Sequence, residues 1–358
     1  MRILYIYERM PSTYQHYLLN LLITVKTSLK VKTLVYVDSI EADYVANTYG
    51  FKYYLQRILF SLKLSKQKRT DLSIFKKFDI LHVQHSYLFR KIIPLLDSNK
   101  RPKIIITLRG GDTYIKPWVD EKWFEFYKNK GNLIDAYITV SQNQKEYLLN
   151  WGIKEDKIHV IPISFGDMSY SKPKYPNKDR LRIVSAFRMT WEKNIEGSIM
   201  FAKKLKDINV DFQYDIYGNG SDLGQLYYLI HKYDLSKNVS IKGKIENDRL
   251  KQELIKYDFF LQISISEALS ASVIEAQSYG LPCIVSDSGG LPEAVIAGKT
   301  AIVCHYNDIE KMVKQCLEIW NNDENYYLYS KNAIQYANEN FTLKHEEYKL
   351  KKLYKSLI

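Results

Sequence analysis

The sequence predicts an α/β protein made of two doubly wound parallel sheets, and three observations carry that prediction. Short apolar runs alternate with stretches of helical spacing along nearly all of the 358 residues, the pattern of strand–helix–strand units whose crossovers make neighbouring strands parallel. The alternation stops once, over residues 166–180, and then restarts. A chain of this length also exceeds what one hydrophobic core commonly organises. The expected layout is an N-terminal domain over 1–165, a linker over 166–180, a second domain over 181–340 and a closing helix within 341–358.

Taken in order, residues 2–7 are the first strand, and this start reads as a strand rather than a signal peptide. Residues 14–29 place Tyr14, Tyr17, Leu18, Leu21, Leu22 and Val25 on one helical face. Strands follow at 32–37, 79–84, 103–108, 135–140 and 157–161. The segment 166–180 is polar and holds Pro173 and Pro176, which is the composition of a linker. The pattern resumes with strands at 181–185, 212–217 and 239–241. Apolar runs at 258–263 and 283–287 flank a short helix. Ser272 is read as the N-cap of that helix with Glu275 at its third position, a capping-box spacing, while Gly280 and Pro282 end it. Glu267 then lies in the loop before the helix and Glu275 in its first turn. In open α/β sheets ligands gather at the carboxyl ends of strands, and helix N-termini attract phosphate.

Glu267, seven intervening residues, Glu275-Ala276, then Gly280-Leu281-Pro282 and Gly289-Gly290-x-x-Glu293 together resemble the signature of the family 4 retaining glycosyltransferases. Looser likenesses at residues 79–85, 138–141 and 157–162 extend the resemblance over most of the chain. It implies the GT-B fold: two Rossmann-like domains facing a central cleft, with the last helix, here 348–357, crossing back to the first domain. It implies a hexose-type sugar moved with retention from a UDP- or GDP-linked donor to a glycan acceptor.

The resemblance also assigns roles. Arg188 and Lys193, after the first strand of the second domain, would clamp the donor diphosphate, because negative charge grows on that leaving group. Glu275 would accept hydrogen bonds from the ribose hydroxyls, and Glu267 would reach the sugar or its phosphate. The amides of Ser270, Ala271, Ser272 and Val273 would hold the distal phosphate. Gly218 and Gly220 would form the turn beside the donor pocket, with Gly243 and Ile245 next to the base. Retaining transfer by front-face attack needs no protein nucleophile, and no Ser-His-Asp or Cys-His arrangement stands out. The chain has no Asp-x-Asp triplet, so the two cations would replace a metal and no cofactor is expected.

The first domain departs from the family pattern twice. The loop after its first strand, residues 8–14, has no glycine. Arg109, followed by Gly110, Gly111 and Asp112, stands where many relatives have a His-Gly pair. An arginine cannot serve as a base at neutral pH but binds phosphate through its forked donors. Arg109 therefore reads either as a phosphate binder on the acceptor side, with Tyr14, or as a structural ion pair with Asp112. His82 and His85, three apart on a strand, face opposite sides and do not make a metal pair.

Charge bounds the partners. The formal net charge is +12, and residues 1–165 hold 26 Lys and Arg against 15 Asp and Glu, while residues 51–105 hold 13 against 3. Residues 51–66 mix aromatics with lysines and fit a helix lying on an anionic membrane, or an ordinary surface helix with its apolar face inward. The family resemblance implies a lipid-linked acceptor in lipopolysaccharide or capsule synthesis, at the inner face of a bacterial membrane. Three cysteines give neither a disulfide framework nor zinc spacing, so a reducing cytoplasm is expected. A nucleic-acid-binding reading rests on charge alone, with no recognisable module, and a non-catalytic nucleotide-sugar binder is the other alternative.

Overall fold

The computed structural model describes residues 1–11, 15–37, 39–46, 70–98 and 100–358, with single positions 55, 58, 59 and 62. Tyr14 and most of the basic segment 51–66 lie outside the described residues. The chain divides into two compact units, Met1–Ile161 with Glu347–Ile358, and Pro162–Glu346.

Unit 1 contains strands β1 (Arg2–Tyr7), β2 (Lys30–Val35), β3 (Tyr44–Val45), β4 (Ile80–Val83), β5 (Lys103–Thr107), β6 (Ala136–Thr139) and β7 (Ile158–Val160). They form one sheet in the order β3-β2-β1-β4-β5-β6-β7. Unit 2 contains β8 (Leu181–Ala186), β9 (Phe212–Tyr217), β10 (Val239–Gly243), β11 (Phe259–Gln262), β12 (Cys283–Ser286) and β13 (Ala301–Cys304), ordered β10-β9-β8-β11-β12-β13. Every pairing in both sheets is parallel. The two doubly wound sheets match the expected fold class. Strands β3 and β13 are additions that the sequence reading did not contain.

Each sheet starts near its middle, grows to one edge, and then continues on the other side of its first strand. The order therefore reverses between β1 and β4 in unit 1 and between β8 and β11 in unit 2. At such a reversal the loops leave the sheet in opposite directions and open a crevice at the carboxyl ends. The strands have buried runs such as Ile3 to Tyr7 and Phe259 to Gln262, as expected for strands covered on both faces.

Tyrosine is abundant, with 30 residues, and several are fully buried with their hydroxyls engaged. Tyr137 donates to the Gly131 carbonyl at 3.0 Å, and Tyr326 to the Asp258 carbonyl at 2.6 Å. The segment 166–180 has no helix or strand, yet its side chains and amides run along unit 2. Ser169 Oγ donates to the Ser278 carbonyl at 2.6 Å, Asn177 N to Asp258 Oδ1 at 2.8 Å, and Tyr175 stacks on Tyr327 at 4.9 Å. Composition marked this segment as a linker. Its polar groups instead find fixed partners.

The last helix, Leu343–Ser356, buries Leu350, Leu353 and Tyr354. Within unit 1 the Tyr354 hydroxyl meets His82 Nδ1 at 2.7 Å and the Tyr5 hydroxyl at 2.6 Å, and His82 Nε2 meets Thr107 Oγ1 at 2.7 Å. Burial, reinforced by the Arg109 charge, lowers the His82 pKa from 6.5 to about 3. Folded His82 is thus neutral where the unfolded chain would take up a proton. Its contribution to stability is complete above pH 6.5 and is lost as the pH falls towards about 3. Tyr354→Phe leaves the buried His82 Nδ1 short of a partner and should cost about 1–3 kcal/mol in urea unfolding. An unchanged urea midpoint in that variant, or wild-type stability flat across the acid window, would contradict this account.

Candidate functional site

The carboxyl ends of β8 to β12 are tied to one another by backbone contacts. Phe187 N donates to the Tyr217 carbonyl at 3.1 Å, Met189 N to the Asn219 carbonyl at 3.0 Å, and Gly218 N to the Gly243 carbonyl at 2.8 Å. These approaches require the glycines. A Cβ on Gly218 would sit 1.9 Å from the Phe187 carbonyl oxygen, and one on Gly220 would sit 2.0 Å from that of Met189. The loop after β11 is held similarly. Ile265 N donates to the Glu192 carbonyl at 2.8 Å and Gly290 N to the Glu267 carbonyl at 2.7 Å. Gly289, at φ +57, packs so closely that a Cβ would lie 2.2 Å from the same Glu267 oxygen.

Inside this frame Lys193 Nζ pairs with Glu267 Oε2, each side chain 14% exposed. Gln262, fully buried at the end of β11, donates from Nε2 to that same carboxylate oxygen at 2.8 Å. Its Oε1 accepts from the Ser270 and Ser272 hydroxyls at 2.9 and 3.1 Å. One glutamine thereby couples Glu267 to the start of the helix Ala271–Ser278. Arg188 is 74% exposed and reaches Glu192 Oε1 at 3.1 Å.

The helix start corrects the capping assignment. Ser270, not Ser272, is the N-cap, its hydroxyl accepting from Val273 N. Ser272 lies inside the first turn and, like Ser270, donates to Gln262, and Glu275 falls beyond the third helical position. Glu275 is therefore not a capping-box acid. It is 3% exposed and accepts from Asn247 Nδ2 at 2.8 Å. Burial raises its pKa from 4.5 to about 7. Asn247 begins the helix Asn247–Leu254, shortly after Gly243, the last residue of β10, and Ile245 in the loop that follows, both half-buried. The structure thus brings Lys193, Glu267, Ser270, Ala271, Ser272 and Val273 together around Gln262, joins Glu275 to Asn247, and sets Gly218 and Gly220 against the loop after β8.

In unit 1 the Asp112 side chain is buried and accepts from Arg109 N at 3.0 Å, Gly110 N at 2.9 Å and Ser86 Oγ at 2.6 Å. Burial raises its pKa despite these donors. The Arg109 guanidinium does not form the direct ion pair with this carboxylate that was one of its two readings. Asp112 is occupied by backbone amides, and Arg109 Nη2 donates to Gln84 Oε1 at 3.2 Å with its Cζ 5.6 Å from the Tyr17 ring. Gly111 begins the short turn Gly111–Tyr114. Gln262, Asn247 and Gln84 were missed as site residues. The signal available for Gln262 and Gln84 was a polar side chain at the end of an apolar strand.

Residues 169–337 match the family model described as Glycosyl transferases group 1, and residues 24–163 match that described as Glycosyltransferase Family 4. An uncharacterised glycosyltransferase of Methanocaldococcus jannaschii is 24% identical over 298 residues, covering 79% of this chain and 70% of its own. WcaL of Salmonella typhimurium, named as a colanic acid biosynthesis glycosyltransferase, is 27% identical over 192 residues, 51% of this chain. The match spans only 47% of that relative's length. The crystal structure of Anabaena HepE in complex with UDP and glucose has a TM-score of 0.78 at 12% identity, covering 99% of this chain and 100% of that one, a likeness of fold. The two family matches follow one another across both units, and the chain belongs to the family 4 glycosyltransferases of the GT-B fold.

Proposed function

We propose that the chain is a retaining, metal-independent glycosyltransferase. It would move a hexose-type sugar from a UDP- or GDP-linked donor to a glycan acceptor, lipid-linked, in cell-envelope polysaccharide synthesis. The observation that carries this reading is the Lys193–Glu267 pair, locked by Gln262 at the sheet reversal of unit 2.

The chemistry follows from where charge develops. Breaking the bond between the anomeric carbon and the phosphate oxygen puts negative charge on the diphosphate. Lys193 and Arg188 supply fixed positive charge there. Glu267 pairs with Lys193. Once phosphate takes over that pairing, the carboxylate is left to face the sugar. The acceptor hydroxyl forms its new bond to the anomeric carbon on the side the leaving group departs from, and a phosphate oxygen takes the hydroxyl proton. The amides at the start of Ala271–Ser278 would hold the distal phosphate. Gly218, Gly220, Gly243 and Ile245 would line the nucleotide. In unit 1, Arg109 with Gly110, Gly111 and Asp112 would form the acceptor side. Contact with an anionic membrane from the cytoplasm, through residues 51–66, is supported by the 13 basic against 3 acidic residues of 51–105. Sedimentation with anionic vesicles should be salt-sensitive, and its absence would remove the membrane contact from the proposal.

Nucleotide binding tests the donor site. A panel of UDP, GDP, ADP and their sugar conjugates should single out one nucleotide, which at about 100 times its dissociation constant stabilises by about 2.7 kcal/mol. Ribose binding needs the Glu275 carboxylate, so affinity should rise as the pH climbs through about 7. In the absence of ligand the sign is opposite. A folded-state pKa above the unfolded one gives stability that is complete below 4.5 and is lost as the pH rises through about 7. Glu275→Gln should flatten both profiles, and a wild-type affinity independent of pH would contradict the ribose role.

Catalysis is tested separately. Glu267→Ala and Lys193→Ala should each lower turnover by about 10²–10³-fold, the scale of losing one fixed electrostatic contact. Glu267→Ala should leave nucleotide affinity within a few-fold, and EDTA should leave wild-type turnover intact. Full activity in Glu267→Ala, or activity abolished by EDTA, would overturn the mechanism.

A further inference from the structure

Unit 1 holds polar side chains that the donor site does not use. Gln84 and His85 leave the carboxyl end of β4, the strand at the sheet reversal, and Arg109 leaves the adjacent β5. Gln84 is fully buried. Its Oε1 accepts from Arg109 Nη2 at 3.2 Å, but its Nε2 has no hydrogen-bond partner among the described residues, and the same holds for Arg109 Nε and His85 Nδ1.

Three nitrogens without acceptors on adjacent strand ends call for an explanation. A buried donor left unmet destabilises the fold, and more so when it carries charge. The chain offers no carboxylate within ion-pair distance of the guanidinium among the described residues. Asp112, three residues on, has both oxygens on local donors. Burial and the neighbouring Arg109 lower the His85 pKa to about 4. At neutral pH its ring can therefore donate from Nδ1 without adding positive charge. Tyr17 lies 5.6 Å from the Arg109 Cζ. Arg109, Tyr17 and His85 are half-buried, so the corner borders solvent although its three unmatched nitrogens are themselves buried.

Such a corner suits oxygen acceptors, because every unmatched group in it can donate. It suits an anion, because one guanidinium lacks a counter-charge within reach. We propose that Gln84, His85 and Arg109 form an oxyanion subsite that takes the phosphoester or carboxylate of the sugar acceptor. This rests on the reading of unit 1 as the acceptor side.

The Arg109 Nε–H cross-peak in a nitrogen–proton NMR spectrum, assigned by its loss in Arg109→Lys, reads the subsite without any turnover. Inorganic phosphate and glucuronate serve as probes, with UDP present to fill the nucleotide site of unit 2. A saturable shift with phosphate is expected for a phosphoester acceptor, and one with glucuronate alone for a carboxylate acceptor. Gln84→Leu should weaken the probe's affinity about tenfold, equivalent to about 1.4 kcal/mol. Should that buried replacement fail to fold, Arg109→Lys, at a half-exposed position, should weaken phosphate-dependent thermal stabilisation by a similar factor. A cross-peak unmoved by both probes, or affinity unchanged in the variant that folds, overturns the subsite. The two readings fail separately. Stabilisation by nucleotide with an unmoved cross-peak sinks the subsite alone. A shifting cross-peak without nucleotide stabilisation sinks the transferase reading and leaves an anion site.

Discussion

The candidate site of the second unit depends on one half-buried ion pair, Lys193 with Glu267, and on the neighbours that keep both ends in place. A pair taken this far out of water adds little net stability, yet removing one partner leaves an uncompensated charge. That asymmetry makes it a poor structural fastener and a good reserve of charge. The ammonium of Lys193 balances the Glu267 carboxylate. Gln262 links the carboxylate to the Ser270 and Ser272 hydroxyls, and Gly290 holds its carbonyl from behind. A glutamate held at both its side chain and its carbonyl is fixed in orientation.

The two units share a topology and differ in electrostatics. In unit 2 the cations at the sheet reversal have acids at hand, Glu192 for Arg188 and Glu267 for Lys193. In unit 1 the corresponding corner carries Arg109, whose neighbouring acid is spent on backbone amides. One corner has its cations paired with acids, and in the other the guanidinium has no acid within ion-pair distance among the described residues. The first half of the chain also carries most of the net positive charge, which raises the local concentration of anionic ligands there.

Buried tyrosines account for much of how these sheets are held. Each brings a large apolar ring and one hydroxyl that must be matched. Tyr5, Tyr137, Tyr214, Tyr326 and Tyr354 each have such a partner. Tyr354 is the most consequential of these, because it ties the last helix to His82 and Tyr5 on adjacent strands of unit 1.

The sequence by itself determined the alternation of strand and helix, the interruption at 166–180 and the placing of Arg188, Lys193, Glu267 and Glu275 after strands of the second sheet. These follow from periodicity and from glycines that only close backbone approaches require, as at Gly218 and Gly289. Tertiary structure decided the rest. Ser270 rather than Ser272 caps its helix, because the helix begins at Ala271 and Ser272 already lies inside its first turn. Asp112 turned to backbone amides, so Arg109 paired with Gln84 across a strand boundary. Asn247 met Glu275 over 28 residues. Local propensity speaks for neighbours along the chain, whereas the partner of a buried polar group is chosen by whatever the sheet order brings within three ångströms.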